Sequence, residues 1–316
     1  MGKYLTSRIL YSFIALLLLA ALTFFMMQAL PGDPFLKPKK LPAAVEENLK
    51  VKFGLDKPLI QQFGIYMKNL VSGDFGYSFE SKRPTADVIS RGIPYSFELG
   101  IRSIILAVIA GLFLGITAAL NAGRTKDAIT MFIAILGVSM PSFVIGYIMQ
   151  YYLAFQLSLV TREVFNIQQL LPITGWKNEA SKILPVIALA FGSMASISRL
   201  MRSSMLDVIS SDYIKTARAK GLSRGAIIRH HMIRNSVLPV ITILGPMTAA
   251  VMTGSFVIEN IFAIPGMGKL FVSSVQTQDY TIIMGTTLFY GAFLILANML
   301  VDLAYGFIDP RIRLAN

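Results

Sequence analysis

Six stretches of the chain, each sixteen residues or longer, contain no Asp, Glu, Lys or Arg: residues 9–30, 103–123, 128–161, 183–198, 235–258 and 280–301. A helix crossing a hydrocarbon layer roughly 30 Å thick needs about 20 mostly apolar residues, because no water is there to satisfy backbone groups. Runs of this length and number point to an all-α polytopic membrane protein. Composition agrees, with 54% hydrophobic and only 15% charged residues, against roughly 25% charged in an ordinary globular chain. The expected spans are about 9–30, 103–123, 131–155, 183–201, 236–258 and 280–303. The first continues through Phe24, Phe25 and Met26, longer than a signal-peptide core, and reads as a retained anchor. Pro141 falls inside the third, where membrane helices tolerate proline if neighbours re-satisfy the backbone. The fourth is the shortest. Its Ala188, Ala190, Gly192, Ser193, Ala195 and Ser196 let other helices approach closely, which places it inside the bundle.

Basic residues set the orientation, since short loops rich in Lys and Arg stay in the cytoplasm. Lys3 and Arg8 precede the first span, Arg124 and Lys126 lie between the second and third, and Arg311 and Arg313 follow the last. The segment 199–234 carries eight basic residues against Asp207 and Asp212, a net +6. With both termini and this segment in the cytoplasm, the span count is six, and a multi-pass membrane protein is expected. The outer segment 31–97 reads as a folded cap. A short helix over 43–53 ends at Gly54, and Asp56 caps a second with Pro58 in its first turn. Leu59, Phe63, Met67 and Leu70 or Val71 share a face of that second helix until Gly73 ends it. The cap either packs on the outer mouth of the bundle or receives an extracellular partner.

Several chemistries are missing. There is no cysteine, and the two histidines, His230 and His231, are adjacent, so no disulfide scaffold or His-rich metal site is expected. A phosphate-cradling loop needs G-x-x-x-x-G-K-[ST], but around Gly268-Lys269 the outer positions hold Ala263 and Leu270. Arg102, Arg199, Glu259 and Asp302 sit at span ends, where snorkelling or interfacial ion pairing accounts for them, and no span carries His, Asp or Glu near its middle. No catalytic, cofactor or metal residue is assigned. The chain is read as a non-enzymatic component whose energy source lies in another molecule.

One polar segment of 202–235 is too short of apolar residues to cross and too regular to be a loop. Ser211 or Asp212 can cap a short helix over Tyr213, Lys215, Thr216, Ala217, Arg218 and Lys220, which Gly221 ends by taking a left-handed conformation. Ser223 then caps a second helix through Arg224, Ile227, Ile228, His231 and Ile233, feeding into span five at Pro239. The product is a helix-turn-helix elbow. A DNA-reading role is disfavoured because both ends are tied to membrane spans, and no nucleic-acid partner is expected; the plain alternative is a basic helix resting on anionic lipid.

Gly221, with Leu238-Pro239 eighteen residues on, resembles the cytoplasmic coupling loop of ABC importer membrane subunits. The letters that name that loop, EAA, are replaced by Lys215-Thr216-Ala217, and the glycine-to-proline spacing is longer than in sugar importers; both features are similar to the peptide and nickel branch. In order along the chain, Pro31-Gly32-Asp33-Pro34, Phe53-Gly54-Leu55-Asp56-Lys57-Pro58, Gly73-Asp74-Phe75-Gly76-Tyr77-Ser78, Ser139-Met140-Pro141-Ser142-Phe143, Ile264-Pro265-Gly266-Met267-Gly268 and Asp309-Pro310-Arg311 also resemble that branch, most closely the B-type permease subunits of bacterial oligopeptide importers. The resemblance implies a type I ABC importer permease fold with cytoplasmic coupling helices. It also implies a homologous C-type permease as heterodimer partner, two cytoplasmic ATPases that hold ATP-Mg, and an extracytoplasmic peptide-binding protein. Asp212, Tyr213, Lys215, Thr216, Ala217, Arg218, Lys220, Gly221, Ser223 and Arg224 would meet an ATPase, with Arg229 reaching its acidic rim. Oligopeptides are the expected cargo, with dipeptides, nickel chelates or glutathione as alternatives and a lipid-binding membrane scaffold as the rival from another class. Two further places are candidates for the pathway or a gate. Ser139, Pro141 and Ser142 form either a kink or a pathway-lining bend; Glu259 with Pro265 and Gly266 forms either a tight outer turn or a re-entrant gate.

Overall fold

The computed structural model describes residues 2–29, 57–78, 80–165 and 170–308. The expected helix at 43–53, the Asp56 cap, the turn at 31–34 and the basic tail lie outside these residues. In chain order the elements are α1 (Gly2–Ala29), α2 (Leu59–Val71), β1 (Tyr77–Ser78), β2 (Arg83–Pro84), α3 (Thr85–Leu120), α4 (Thr125–Ser139) and α5 (Ser142–Met149). A π-helical stretch, Gln150–Gln156, leads into α6 (Leu157–Phe165). Then come α7 (Glu179–Ser210), α8 (Asp212–Ala219), α9 (Arg224–Ser236), α10 (Leu238–Ile261), α11 (Met267–Thr277) and α12 (Tyr280–Ile308). Among the described residues five helices are long and apolar enough to cross a membrane, or six if α9 and the start of α10, bent by 47°, are one span. The all-helical expectation is corrected at one place: β1 and β2 pair antiparallel, Tyr77 opposite Pro84 and Ser78 opposite Arg83.

Two compact units divide the described residues, one of those up to Tyr95 with Pro265–Met299, the other of Ser96–Ile264 with 300–308. In the first, Phe24 of α1 stacks on Tyr66 of α2 at 5.3 Å between centroids, and Phe25 meets Phe63 at the same separation. These contacts explain why α2 folds as an amphipathic helix: Phe63 lies on the stripe read from the sequence, and Tyr66 adds to it. Ser72 and Gly73 end the helix, Gly73 at φ +80. At the start of α12, the buried Asp279 accepts from Ser78 Oγ, from the Glu80 amide and, at 3.4 Å, from the Ile282 amide. One carboxylate thereby caps a helix and anchors the β ribbon.

In the second unit α7 is the central helix. Half of its most apolar window is buried, against 17–39% for the other four long helices, and it packs against α4, α5 and α10. Small residues make this possible. A Cβ at Gly111 of α3 would sit 2.8 Å from Ile197 Cβ, one at Gly115 only 2.6 Å from the Ser198 carbonyl oxygen, and one at Gly137 of α4 2.7 Å from Ala195 Cβ. Backbones approach this closely only where side chains are absent. The buried core runs from Ala107, Ala190 and Ile197 through Met201 and Met205 to Ile214, Ala217, Ile227 and Met232, so the elbow shares one core with the spans.

Helix limits differ from the charge-free runs for physical reasons. α3 begins at Thr85 and passes through Glu98 and Arg102 without interruption. Those charges are neutralised at the start of α7: Arg102 pairs with Glu98 at 2.7 Å and Glu179 at 2.6 Å, and Lys182 reaches both carboxylates at 2.8 Å. Trp176 Nε1 donates to Glu98 at 2.8 Å. At Pro141 the chain does not kink but breaks: Met140 is extended at φ −94, ψ 128, and Pro141 becomes the residue preceding α5. The segment between α10 and α12 is not a bare turn, since it contains the eleven-residue α11.

Candidate coupling site

The elbow is built by local chemistry acting on a chain already held by the core. α8 buries Ile214 and Ala217, three residues apart, while Tyr213, Lys215, Thr216, Arg218 and Lys220 are exposed on the remaining surface. Its start differs from expectation. Neither Ser211 nor Asp212 accepts a capping bond; the Ser211 hydroxyl donates back to the Val208 carbonyl at 2.6 Å, and Asp212 pairs with Lys215 at 2.8 Å. That pair is exposed and contributes little, about 0.3–0.5 kcal/mol at most.

The end of α8 follows the expected chemistry. The Leu222 amide donates to the Ala217 carbonyl and the Gly221 amide to the Arg218 carbonyl, with Gly221 at φ +75. This paired closure needs a left-handed residue after the helix, which glycine adopts without a Cβ penalty. No atom lies within 4 Å of where a Gly221 Cβ would be, so conformation rather than space requires glycine here. Ser223 then accepts from the Ala226 amide at 3.3 Å and starts α9. The middle of α9, Ile227–Ile233, is π-helical, a departure from the expected regular helix, and its Ile227 and Met232 are buried.

Electrostatics divide the elbow from its support. Arg202 on α7 grips Asp127, in the first turn of α4, through two hydrogen bonds of 2.6 and 2.7 Å, and Asp127 also accepts from the Gly123 amide at 2.9 Å. The Arg202 guanidinium, against the opposing push of burial, holds the Asp127 carboxyl below the usual carboxylate range, with the Gly123 amide adding to it. Arg202 is therefore a structural tie and not one of the free cations of the segment. Arg218, Lys220, Arg224 and Arg229 are exposed and form no ion pair among the described residues. They give the elbow a positive outer face.

The family described as binding-protein-dependent transport system inner membrane component matches residues 111–314, and its N-terminal companion matches residues 1–100. The chain belongs to this permease family. It is 45% identical over 315 residues to the dipeptide transport system permease protein DppB of Bacillus subtilis, covering 99% of both chains. It is 40% identical over 316 residues to the oligopeptide transport system permease protein OppB of Haemophilus influenzae, covering 99% of this chain and 100% of that one. Together these matches make it a peptide ABC permease of the DppB and OppB type. Among solved structures, an inward-facing MetNI methionine ABC transporter matches with a TM-score of 0.55 at 16% identity, over 70% of this chain and 96% of that one, a likeness of fold. The permease fold is thus of the type I ABC importer kind.

The ten coupling candidates of the permease fall in one continuous element pair, α8 and the start of α9. The pathway candidates do not gather in the same way. Ser139 and Pro141 are exposed and Ser142 half-buried at the α4–α5 break. Glu259, near the end of α10, is fully buried rather than snorkelling, and accepts from the buried Ser255 hydroxyl at 2.7 Å. Gly266 starts the backbone that leads into α11, and a Cβ on Gly92 of α3 would lie 3.2 Å from the Gly266 carbonyl carbon; Pro265 is exposed. Asp127 and Asp279, which organise the ends of helices, were not singled out from the sequence. Asp127 carried one usable sign, an acid in the first turn after the Gly123-Arg124 break.

Proposed function

We propose that this permease forms one half of the transmembrane pathway of an ATP-driven peptide importer and is driven through α8 and the Gly221 turn by a cytoplasmic ATPase. A homologous C-type permease completes the pathway, an extracytoplasmic binding protein delivers the peptide, and ATP-Mg stays on the two ATPases. In this reading α8 and α9 lie in the cytoplasm with both termini, as the basic segment requires.

The observation that carries the proposal is that α8 buries Ile214 and Ala217 in the same core as Met201 and Met205 of α7 while turning its basic face outward. A grip on the outer face would therefore reach α7, and through Met232 and Val240 α10, by direct packing. Closure of the ATPases would rock these spans as a rigid group, a two-state change of the kind used by many transport proteins. The positive face suits an acidic rim on the ATPase, which Arg218, Lys220, Arg224 and Arg229 would orient.

The names of the full-length relatives support peptides as cargo and include both length classes. Reconstitution with its partners and uptake of a labelled dipeptide and a labelled pentapeptide, each in competition with the other, assigns the length; oligopeptide transport requires the pentapeptide to win. The coupling reading is tested with Gly221→Glu: ATPase co-purification and uptake should fall together. Survival of both, or uptake that collapses with a protonophore while ATP is held constant, overturns it.

A further inference from the structure

Behind the basic face of the elbow lies a cavity of about 440 Å³, within the size range of small-molecule sites. Its lining includes Leu120 at the end of α3, Ile209 near the end of α7, and Ile227 and Ile228 of α9; the only charged groups on it are Arg218 and Arg224. No acidic residue lines it, and neither arginine forms an ion pair among the described residues. α3 stops at Leu120 and gives way to Asn121 and Arg124, so the cavity lies where an apolar span meets a polar turn.

We propose that this cavity holds an anionic membrane phospholipid, its phosphate between Arg218 and Arg224 and the start of an acyl chain against Leu120, Ile209, Ile227 and Ile228. The chemistry selects this occupant. A guanidinium presents several donors in a planar fork that fits phosphate oxygens, and basic pockets at the cytoplasmic level of a bundle favour anionic headgroups. Inorganic phosphate would neutralise the arginines but leave the apolar wall in contact with water. A neutral lipid would fill the wall and leave two cations without a counter-charge. A lipid carrying negative charge satisfies both surfaces. Such a lipid would brace α8 and α9 against the ends of α3 and α7.

The test uses the full-length permease alone in nanodiscs of phosphatidylcholine containing phosphatidylglycerol, followed by mild detergent transfer and native mass spectrometry of the lipids that remain bound. Phosphatidylglycerol should be retained over phosphatidylcholine by about tenfold or more. The double variant Arg218→Gln, Arg224→Gln should lose that preference. Ile228→Trp or Ala119→Phe, which fill the cavity with both arginines intact, should lose it as well; either one that elutes as a single monodisperse species serves. Millimolar inorganic phosphate should leave the bound lipid in place. Equal retention of the two lipids overturns the proposal, as does displacement by phosphate alone. Retention that depends on the arginines but ignores cavity filling also overturns it, because that is diffuse surface attraction. Neither ATPase nor uptake enters this measurement, so its failure leaves the transport reading untouched and the reverse is equally true.

Discussion

Gly221 offers a test in which backbone conformation and surface contact give different answers. At φ +75 an L-residue costs about 1–2 kcal/mol, and alanine regains about 0.4–1 kcal/mol by narrowing the unfolded chain. Nothing within 4 Å would meet the new methyl group, so no collision is added. The net for Gly221→Ala is about 1 kcal/mol against the closed turn, roughly a fivefold fall in the ratio of closed to open turn. Asparagine tolerates the left-handed region and should lose less; valine, stiff at Cβ, should lose more. The assay is the ATPase concentration that half-saturates the reconstituted permease, with uptake measured in parallel. The expected order of affinity is Gly, Asn, Ala, Val. Should Asn prove as harmful as Val, or Val prove harmless, the reasoning from φ is refuted and Gly221 acts, if at all, by its bare surface.

Asp127→Asn leaves the half-buried Arg202 without its counter-charge and should lower stability by about 1–3 kcal/mol, read as a drop in the unfolding midpoint in detergent that a further Arg202→Met change partly restores. Because the Asp127 carboxyl is held below its ordinary range, its contribution is fully present above about pH 4 and is lost as pH falls further; wild type and Asp127→Asn should therefore differ by a constant amount from pH 6 to 8 and converge under acid. Gly115→Ala forces a methyl group to 2.6 Å from the Ser198 carbonyl oxygen and should cost about 2 kcal/mol, whereas Gly64→Ala, with open space around it on α2, should be neutral or stabilising in the same melt. Asp279→Ala removes the acceptor shared by Ser78, Glu80 and Ile282, costing about 2 kcal/mol; limited proteolysis should then open the ribbon around Tyr77 and Arg83 while the elbow stays intact.

The features that the amino-acid string disclosed are those decided within a few residues. Gly221 and Ser223 mark a helix end and a helix start because their chemistry is spent on neighbouring amides. Ser211 misled for the same local reason in reverse: its hydroxyl bonds back to the carbonyl of Val208 instead of capping forward. Helices run past the charge-free stretches where distant charges cancel, as Glu98 and Arg102 do against Glu179 and Lys182 across seventy-seven to eighty-four residues of sequence. The π-helical stretches at Gln150–Gln156 and Ile227–Ile233 leave no mark in hydropathy, since they change hydrogen-bond register without changing which residues are apolar. The pathway candidates were chosen for residue type alone, and packing separates Ser139 on an exposed helix end from Glu259 in a closed interior.

The length of α7 sets a mechanical ratio. Its 32 residues rise about 48 Å, against roughly 30 Å of hydrocarbon, so about 18 Å is left for its two ends together. Pivoting at its far end by about 10°, such a rod sweeps its tip through roughly 8 Å. Under the proposed coupling, a modest stroke at the elbow would be geared down to small shifts at mid-membrane, where α7 meets the glycines of α3 and α4.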